Sequence, residues 1–119
     1  MTHPRTVFHL ALACDWLAAR ACGVYDGSDL CRRDGFIHMS TREQLPGTLA
    51  RYFQGRDDVV LLAADTGSIA DRLRWDDVPG KGVYPHYYGR LRVGQLRELG
   101  PVRLGADGVH VIPQMEALP

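Results

Sequence analysis

Three of the chain's five histidines stand in short, distinctive contexts. These are Val7-Phe8-His9-Leu10, Gly35-Phe36-Ile37-His38-Met39-Ser40-Thr41 and Tyr84-Pro85-His86-Tyr87-Tyr88-Gly89. Imidazole titrates nearer neutrality than any other side chain, so each ring can donate, accept or carry a proton with little help. Each context reads as a β-strand with buried apolar flanks, which sets the rings at the edge of a core. Brought together they would line a polar cleft suited to proton transfer, with His38 and His86 as its candidate catalytic residues.

The spacing around them adds further groups. Strand alternation puts Phe36, His38 and Ser40 on one face and Ile37 and Met39 on the other. Tyr84, His86 and Tyr88 likewise share a face, where tyrosine rings offer a flat surface for a base or a nicotinamide. Arg74 and Asp76 flank Trp75, placing a cation and a carboxylate on one face to grip a ribose or a phosphate. Ser40 and Thr41 precede a predicted helix whose N-terminal amides favour an anion. Every one of these has an ordinary structural role beside the functional one. A histidine can bond a core carbonyl, Ser40 can simply cap the helix, the tyrosines can close the core, and Arg74–Asp76 can be an exposed pair. His3 and His110, near the ends, are assigned no role.

The three histidines are far apart on separate strands and lack the close spacing usual for zinc ligands, so an organic ligand is expected rather than a metal. Cys14, Cys22 and Cys31 are odd in number and show no Cys-x-x-Cys spacing, which argues against a disulfide framework and leaves them as small hydrophobes. The glycine-rich dinucleotide fingerprint, the phosphate loop and the nucleophile elbow of hydrolases do not occur.

The elements that must hold these residues follow from periodicity. Thr6 to Leu12 alternates Val7, His9 and Ala11 against Phe8, Leu10 and Leu12, the pattern of a strand. Ala13 to Cys22 is alanine-rich and meets Gly23, the pattern of a helix with glycine just past its end. Residues 25–34 show no clear period and read as a loop. After the strand at 36–40, either Ser40 with Glu43 or Thr41 with Gln44 forms a capping box. A second helix then runs through Leu45, Leu49, Tyr52 and Phe53 to Gly55, its first turn displaced past Pro46-Gly47. The apolar run at 58–65 suits a central strand covered on both faces. Residues 68–73 form a short turn or helix, Leu73-Arg74-Trp75-Asp76 an edge strand, and residues 83–91 a tyrosine-rich strand. Val102-Arg103-Leu104 and Val109-His110-Val111-Ile112 flank an Asp107-Gly108 hairpin turn. The sum is α+β: a mostly antiparallel sheet with two helices in the first half.

At 119 residues the chain is expected to form a single domain, 1–119. Zero formal net charge removes the broad field that draws proteins to duplex DNA or acidic membranes. No apolar run approaches the roughly 20 residues that span a bilayer. The N-terminus lacks the features of a signal peptide, so a cytoplasmic location is expected.

Taken in order, these motifs, with Gly55-Arg56-Asp57-Asp58-Val59-Val60-Leu61-Leu62 and Leu73-Arg74-Trp75-Asp76, resemble the bacterial family called domain of unknown function 952. The likeness extends over roughly residues 6–113. That family carries no established activity. Its fold is said to resemble the ADP-ribosyltransferase fold, a split β-sheet that cradles NAD in a cleft. The resemblance implies that His9 contacts the NAD ribose, that Ser40 and Thr41 line a nicotinamide pocket, and that Tyr88 stacks on the ring. The superfamily's late glutamate has no clear counterpart: Asp76 is nearest, while Glu98 and Glu116 fall in less regular segments. Asp is shorter by about one methylene, and a misplacement of about 1 Å can cost about a hundredfold in rate. A variant acting on an RNA 2′-phosphate would rely instead on Arg42 and Arg74. The expectation is a domain that binds NAD or a related nucleotide. Its site would comprise His38, Asp76 and His86 as catalytic groups and His9, Ser40, Thr41, Arg74 and Tyr88 as ligand contacts. The alternative is a module on the same fold that binds a small ligand or a protein partner without chemistry.

Overall fold

The computed structural model describes residues 3–113. Its elements run β1 (Thr6–Leu12), α1 (Ala13–Cys22), β2 (Val24–Tyr25), α2 (Asp29–Asp34), β3 (Ile37–His38), α3 (Leu45–Tyr52), β4 (Val59–Asp65), β5 (Leu73–Val78), β6 (Gly82–Tyr87), β7 (Leu91–Arg92), β8 (Arg97–Leu104) and β9 (His110–Val111). Short 3₁₀ turns at Arg42–Gln44, Thr66–Ile69 and Val93–Gln95 link them.

The strands form three groups, ordered β1-β4-β8-β9, β2-β7 and β3-β6-β5, and every pairing is antiparallel. The first and third groups meet at one bridge. There Phe8 N–H donates to the Ser40 carbonyl (2.8 Å) and Ser40 N–H to the Phe8 carbonyl (2.7 Å). The seam between two sheets therefore runs between His9 and His38.

Alternation explains how the main sheet is covered. On β1, Val7 and Ala11 enter one apolar cluster while Phe8 and Leu10 enter another. On β4, Leu62 and Ala64 face the first and Val59, Leu61 and Ala63 the second. A strand covered on both faces has no polar side to spend, which is why β4 reads as a continuous apolar run. α1 supplies Trp16 and Ala19 to the first cluster, and α3 supplies Leu45 and Leu49 to the second.

The sheet pattern, β1, α1 and the hairpin around Asp107-Gly108 agree with the sequence reading, and three segments differ from it. Residues 25–34 are not a plain loop but hold Tyr25 of β2 and the six-residue helix α2. Ser28 Oγ accepts the Cys31 N–H at the helix start, and Gly35 ends it in the left-handed region (φ 87°). There are thus three α-helices among the described residues rather than two. α3 starts at Leu45, with Pro46 tolerated in its first turn, where the missing N–H would have had no helical partner. Glu98 lies in β8, a strand, beside a register shift in its pairing with β4, where Leu61 faces Gly100 and Leu62 faces Glu98. Glu116 lies outside the described residues.

Candidate functional site

The register of the small sheet assembles the site. His38 on β3 lies directly opposite His86 on β6, and Arg74 on β5 lies opposite His86 on its other side. Directly opposed residues share a face, so His38, His86 and Arg74 stand on one side of the sheet. Asp76, two residues from Arg74, joins them. The other side carries Ile37, Leu73 and Tyr87 into the core.

Each of the two histidines has a carboxylate. His86 Nδ1 lies 2.8 Å from Asp76 Oδ2, which also accepts the Tyr88 hydroxyl. The His86 ring is stacked on Phe36 at 4.0 Å and 25°. Among the described residues its Nε2 has no hydrogen-bond partner, although the residue is only 6% exposed. Burial holds the His86 imidazole below its ordinary pKa, against the pull of Asp76. The ring is therefore neutral near pH 7, donates Nδ1–H to Asp76 and keeps a lone pair on Nε2. Asp76 is held below the usual carboxylate range, first by the Tyr88 hydroxyl and then by His86.

His38 is set differently. Its Nε2 lies 3.0 Å from Asp34 Oδ2 and its Nδ1 3.2 Å from Cys31 Sγ. Burial works against its charge, yet the Cys31 and Asp34 contacts outweigh burial and raise its pKa above the ordinary histidine value. The two rings sit 5.7 Å apart in an edge-on arrangement. Two neighbouring rings are thus pushed in opposite directions, the condition under which one can serve as acid and the other as base.

His38, His86, Cys31 and Phe36 border a cavity of about 130 Å³, while Asp34, Asp76 and Tyr88 stand behind the two rings and are not among its lining residues. Its walls include Leu10, Phe36, Met39 and Phe53, with Arg51 and Lys81 as the cations among its lining residues. An apolar cavity on the order of 150 Å³ accepts a benzene ring, so this one admits one ring-sized group. Among the described residues no cluster of three or more His, Cys, Asp or Glu is placed to hold a metal ion. No helix there is long and apolar enough to cross a membrane.

A family model described as protein of unknown function (DUF952) matches residues 11–99. The chain belongs to the DUF952 family. It is similar to protein CC0527 from Caulobacter crescentus at 36% sequence identity. The crystal structure of that protein superposes with a TM-score of 0.83, covering 89% of this chain and 93% of the other. Its solution NMR structure gives a TM-score of 0.79 and covers 93% of each chain. No curated protein matches.

In this DUF952 member the residues singled out in the sequence divide into two groups. His38, Asp76 and His86 come together as one cluster with Tyr88. Ser40 borders the cavity, but its hydroxyl faces Thr48 Oγ1 at 3.1 Å and does not cap the helix. Thr41 is the N-cap of the 3₁₀ turn that leads into α3, its N–H donating to Gln44 Oε1 at 2.9 Å, and it is not among the cavity-lining residues. Arg74 shares the sheet face but donates to the Leu73 carbonyl at 3.1 Å and does not border the cavity. Arg42 is an exposed residue of the 3₁₀ turn.

His9 borders the cavity but is satisfied from within. Its Nδ1 lies 2.6 Å from the His38 carbonyl and its Nε2 meets the Tyr25 hydroxyl. A carbonyl only accepts, so Nδ1 carries the hydrogen and Tyr25 donates to Nε2. Burial lowers the His9 pKa to about 4. No ring nitrogen is left for a ligand.

The sequence reading missed Cys31 and Asp34, which flank His38, and the rim cations Arg51 and Lys81. A signal was present: Ser28 and Gly35 are helix start and stop residues around a segment too short to show a period. That short helix carries Cys31 and Asp34 back onto His38.

Proposed function

We propose that the cleft binds the ring end of a nucleotide, with NAD the first candidate, on a variant of the ADP-ribosyltransferase-like split sheet. The observation that carries this reading is the cross-strand pair His38 and His86, displaced oppositely in proton affinity beside a ring-sized cavity. The seam between the two sheets, bridged through the backbone at Phe8 and Ser40 and through the His9 ring to the His38 carbonyl, supports the fold assignment. Bound NAD would supply a ribose carbon made electrophilic by departure of nicotinamide.

The volume admits one end of such a ligand, so the remainder would lie along the rim, where Arg51 and Lys81 attract phosphate oxygens. Phe36 offers the aromatic wall. His86 Nε2 takes a proton from an attacking hydroxyl, and Asp76 fixes the tautomer that leaves Nε2 free. His38, whose contacts with Cys31 and Asp34 favour its charged form, stabilises negative charge that builds up in the cavity.

One observation favours the second reading, a binding module without transfer. Glu98, the only glutamate in β8, does not reach the cleft. It accepts the Trp16 indole N–H at 2.8 Å and pairs with Arg20 at 3.6 Å. The test is a titration of the histidine ring signals with NAD, nicotinamide and ADP-ribose, followed by an assay of nicotinamide release. His38 and His86 are expected to shift while His9 stays still, and His86→Ala to weaken the response. Absence of any shift with all three compounds ends the nucleotide reading. Shifts without nicotinamide release select the binding module.

A further inference from the structure

Cys31 is the buried cysteine of the described chain, while Cys14 and Cys22 are exposed. Three polar atoms surround its sulfur: His38 Nδ1 at 3.2 Å, the His38 backbone N–H at 3.4 Å and Ser28 Oγ at 3.5 Å. Asp34 Oδ2, 3.0 Å from His38 Nε2, completes a chain of thiol, imidazole and carboxylate. A nucleophile within hydrogen-bond reach of a base, itself oriented by a third group, is the arrangement of covalent catalysis. Gly27 permits it, because a Cβ there would sit 2.5 Å from the Cys31 Cβ and 2.9 Å from its sulfur.

A second observation comes from a different strand. The His86 side chain is only 8% exposed, its Nε2 has no partner among the described residues, and it borders the same cavity as Cys31. The cleft thus holds a nucleophile with its own base and a second, unengaged base. One histidine can serve both half-reactions of acyl transfer; here a second base stands ready for the incoming water while the first stays beside the nucleophile.

We propose that Cys31 is a covalent nucleophile and that the cleft hydrolyses a compact ester or thioester through an acyl-Cys31 intermediate. The reading does not depend on nucleotide binding. Burial opposes the thiolate, but the hydrogen bonds from His38 and Ser28 outweigh it and lower the Cys31 pKa, while that of His38 is raised. Both directions favour a thiolate–imidazolium pair. The thiolate attacks the carbonyl carbon, the S–C bond forms and the carbonyl pair moves to oxygen. Collapse of that oxyanion expels the alcohol or thiol portion, which takes the Nδ1 proton of His38. A water molecule then gives a proton to His86 Nε2 and adds to the acyl carbon. The C–S bond breaks with its electron pair returning to sulfur, and the proton on His86 passes through solvent to His38. The sum is one ester plus one water giving one acid and one alcohol or thiol. Leu30, Phe36, Met39 and Phe53 suit the acyl group, and Arg51 and Lys81 favour an anionic leaving portion. Asp34 acts through His38 and is a positioning residue.

The test treats the full chain with p-nitrophenyl acetate and follows p-nitrophenol release and peptide masses. A burst of about one equivalent is expected, with the acetyl group on Cys31. Its rate at neutral pH should exceed that of free cysteine by on the order of a hundredfold. Cys31→Ser should abolish the burst. His86→Asn, which leaves Cys31 and His38 in place, should keep the burst and slow the steady state. Asp34→Asn should slow the burst and shift the His38 ring signals. Acetylation on Cys14 or Cys22, a burst that survives Cys31→Ser, or a Cys31 rate no greater than that of free cysteine would overturn the proposal.

Discussion

His9 and His86 have the same side chain, comparable burial at 3% and 6% exposed, and a place beside the same cavity, yet the molecule uses them in opposite ways. His9, on the main sheet, spends both nitrogens on Tyr25 and the His38 carbonyl, tying β1 to β2 and β3. His86, on the small sheet, spends one nitrogen on Asp76 and leaves the other without a partner among the described residues. Burial alone therefore does not separate a fully engaged histidine from one with a nitrogen left over. The count of engaged nitrogens does, because a ring nitrogen that no protein group holds, and that is not sealed from solvent, remains available to a ligand.

The contrast is broken most forcefully by deleting each ring. His9→Ala opens a core cavity and strands the Tyr25 hydroxyl and a carbonyl, so a loss of about 3–5 kcal/mol in denaturant unfolding is expected. His86→Ala should cost about 2 kcal/mol or less while abolishing most ligand response or turnover. Equal stability losses would erase the distinction.

Acidification sharpens it next. His9 has a folded pKa of about 4 against an ordinary 6.5, so between those values the unfolded chain binds a proton that the folded chain refuses. Stability should therefore fall as pH drops from about 6.5 toward 4, by about 3 kcal/mol in total. Chemical denaturation across that range measures it, and the slope should shrink in a His9→Gln variant.

Asp76→Asn comes third. The Asp76 side chain is about a third exposed, so the stability cost should be about 1 kcal/mol or less. The His86 ring, however, loses the anion that fixes its tautomer, and its nitrogen shifts should show a mixture of tautomers near neutral pH. The smallest effect belongs to the rim. Arg51→Ala and Lys81→Ala should leave stability within about 0.5 kcal/mol and weaken only anionic ligands, by severalfold at low salt. Loss of binding to neutral nicotinamide in those variants would place the cations deeper in the site.

The sequence carried the elements whose period is long enough to count. β1 and α1 appear with the bounds read from alternation and from Gly23, and β4 is central because its run is apolar on both faces. Alternation also placed His38 with Ser40, and His86 with Tyr84 and Tyr88, on common faces. What it lacked was partnership. α2, at six residues, is too short for a hydrophobic period, so only its start at Ser28 and stop at Gly35 marked it, and neither names Cys31 or Asp34 as a neighbour of His38. Ser40 and Thr41 offered equivalent caps, and only the packing of Thr48 against Ser40 decides between them. The fate of His9 depended on Tyr25, in a two-residue strand that no periodicity could reveal.

The most direct measurement is a pH titration of the histidine ring nitrogens by long-range proton–nitrogen spectra of the intact protein. His38 is expected to release its proton above the ordinary 6.5, His86 below it, and His9 only near 4. A His38 that titrates at or below His86 would contradict the division of roles on which the site rests.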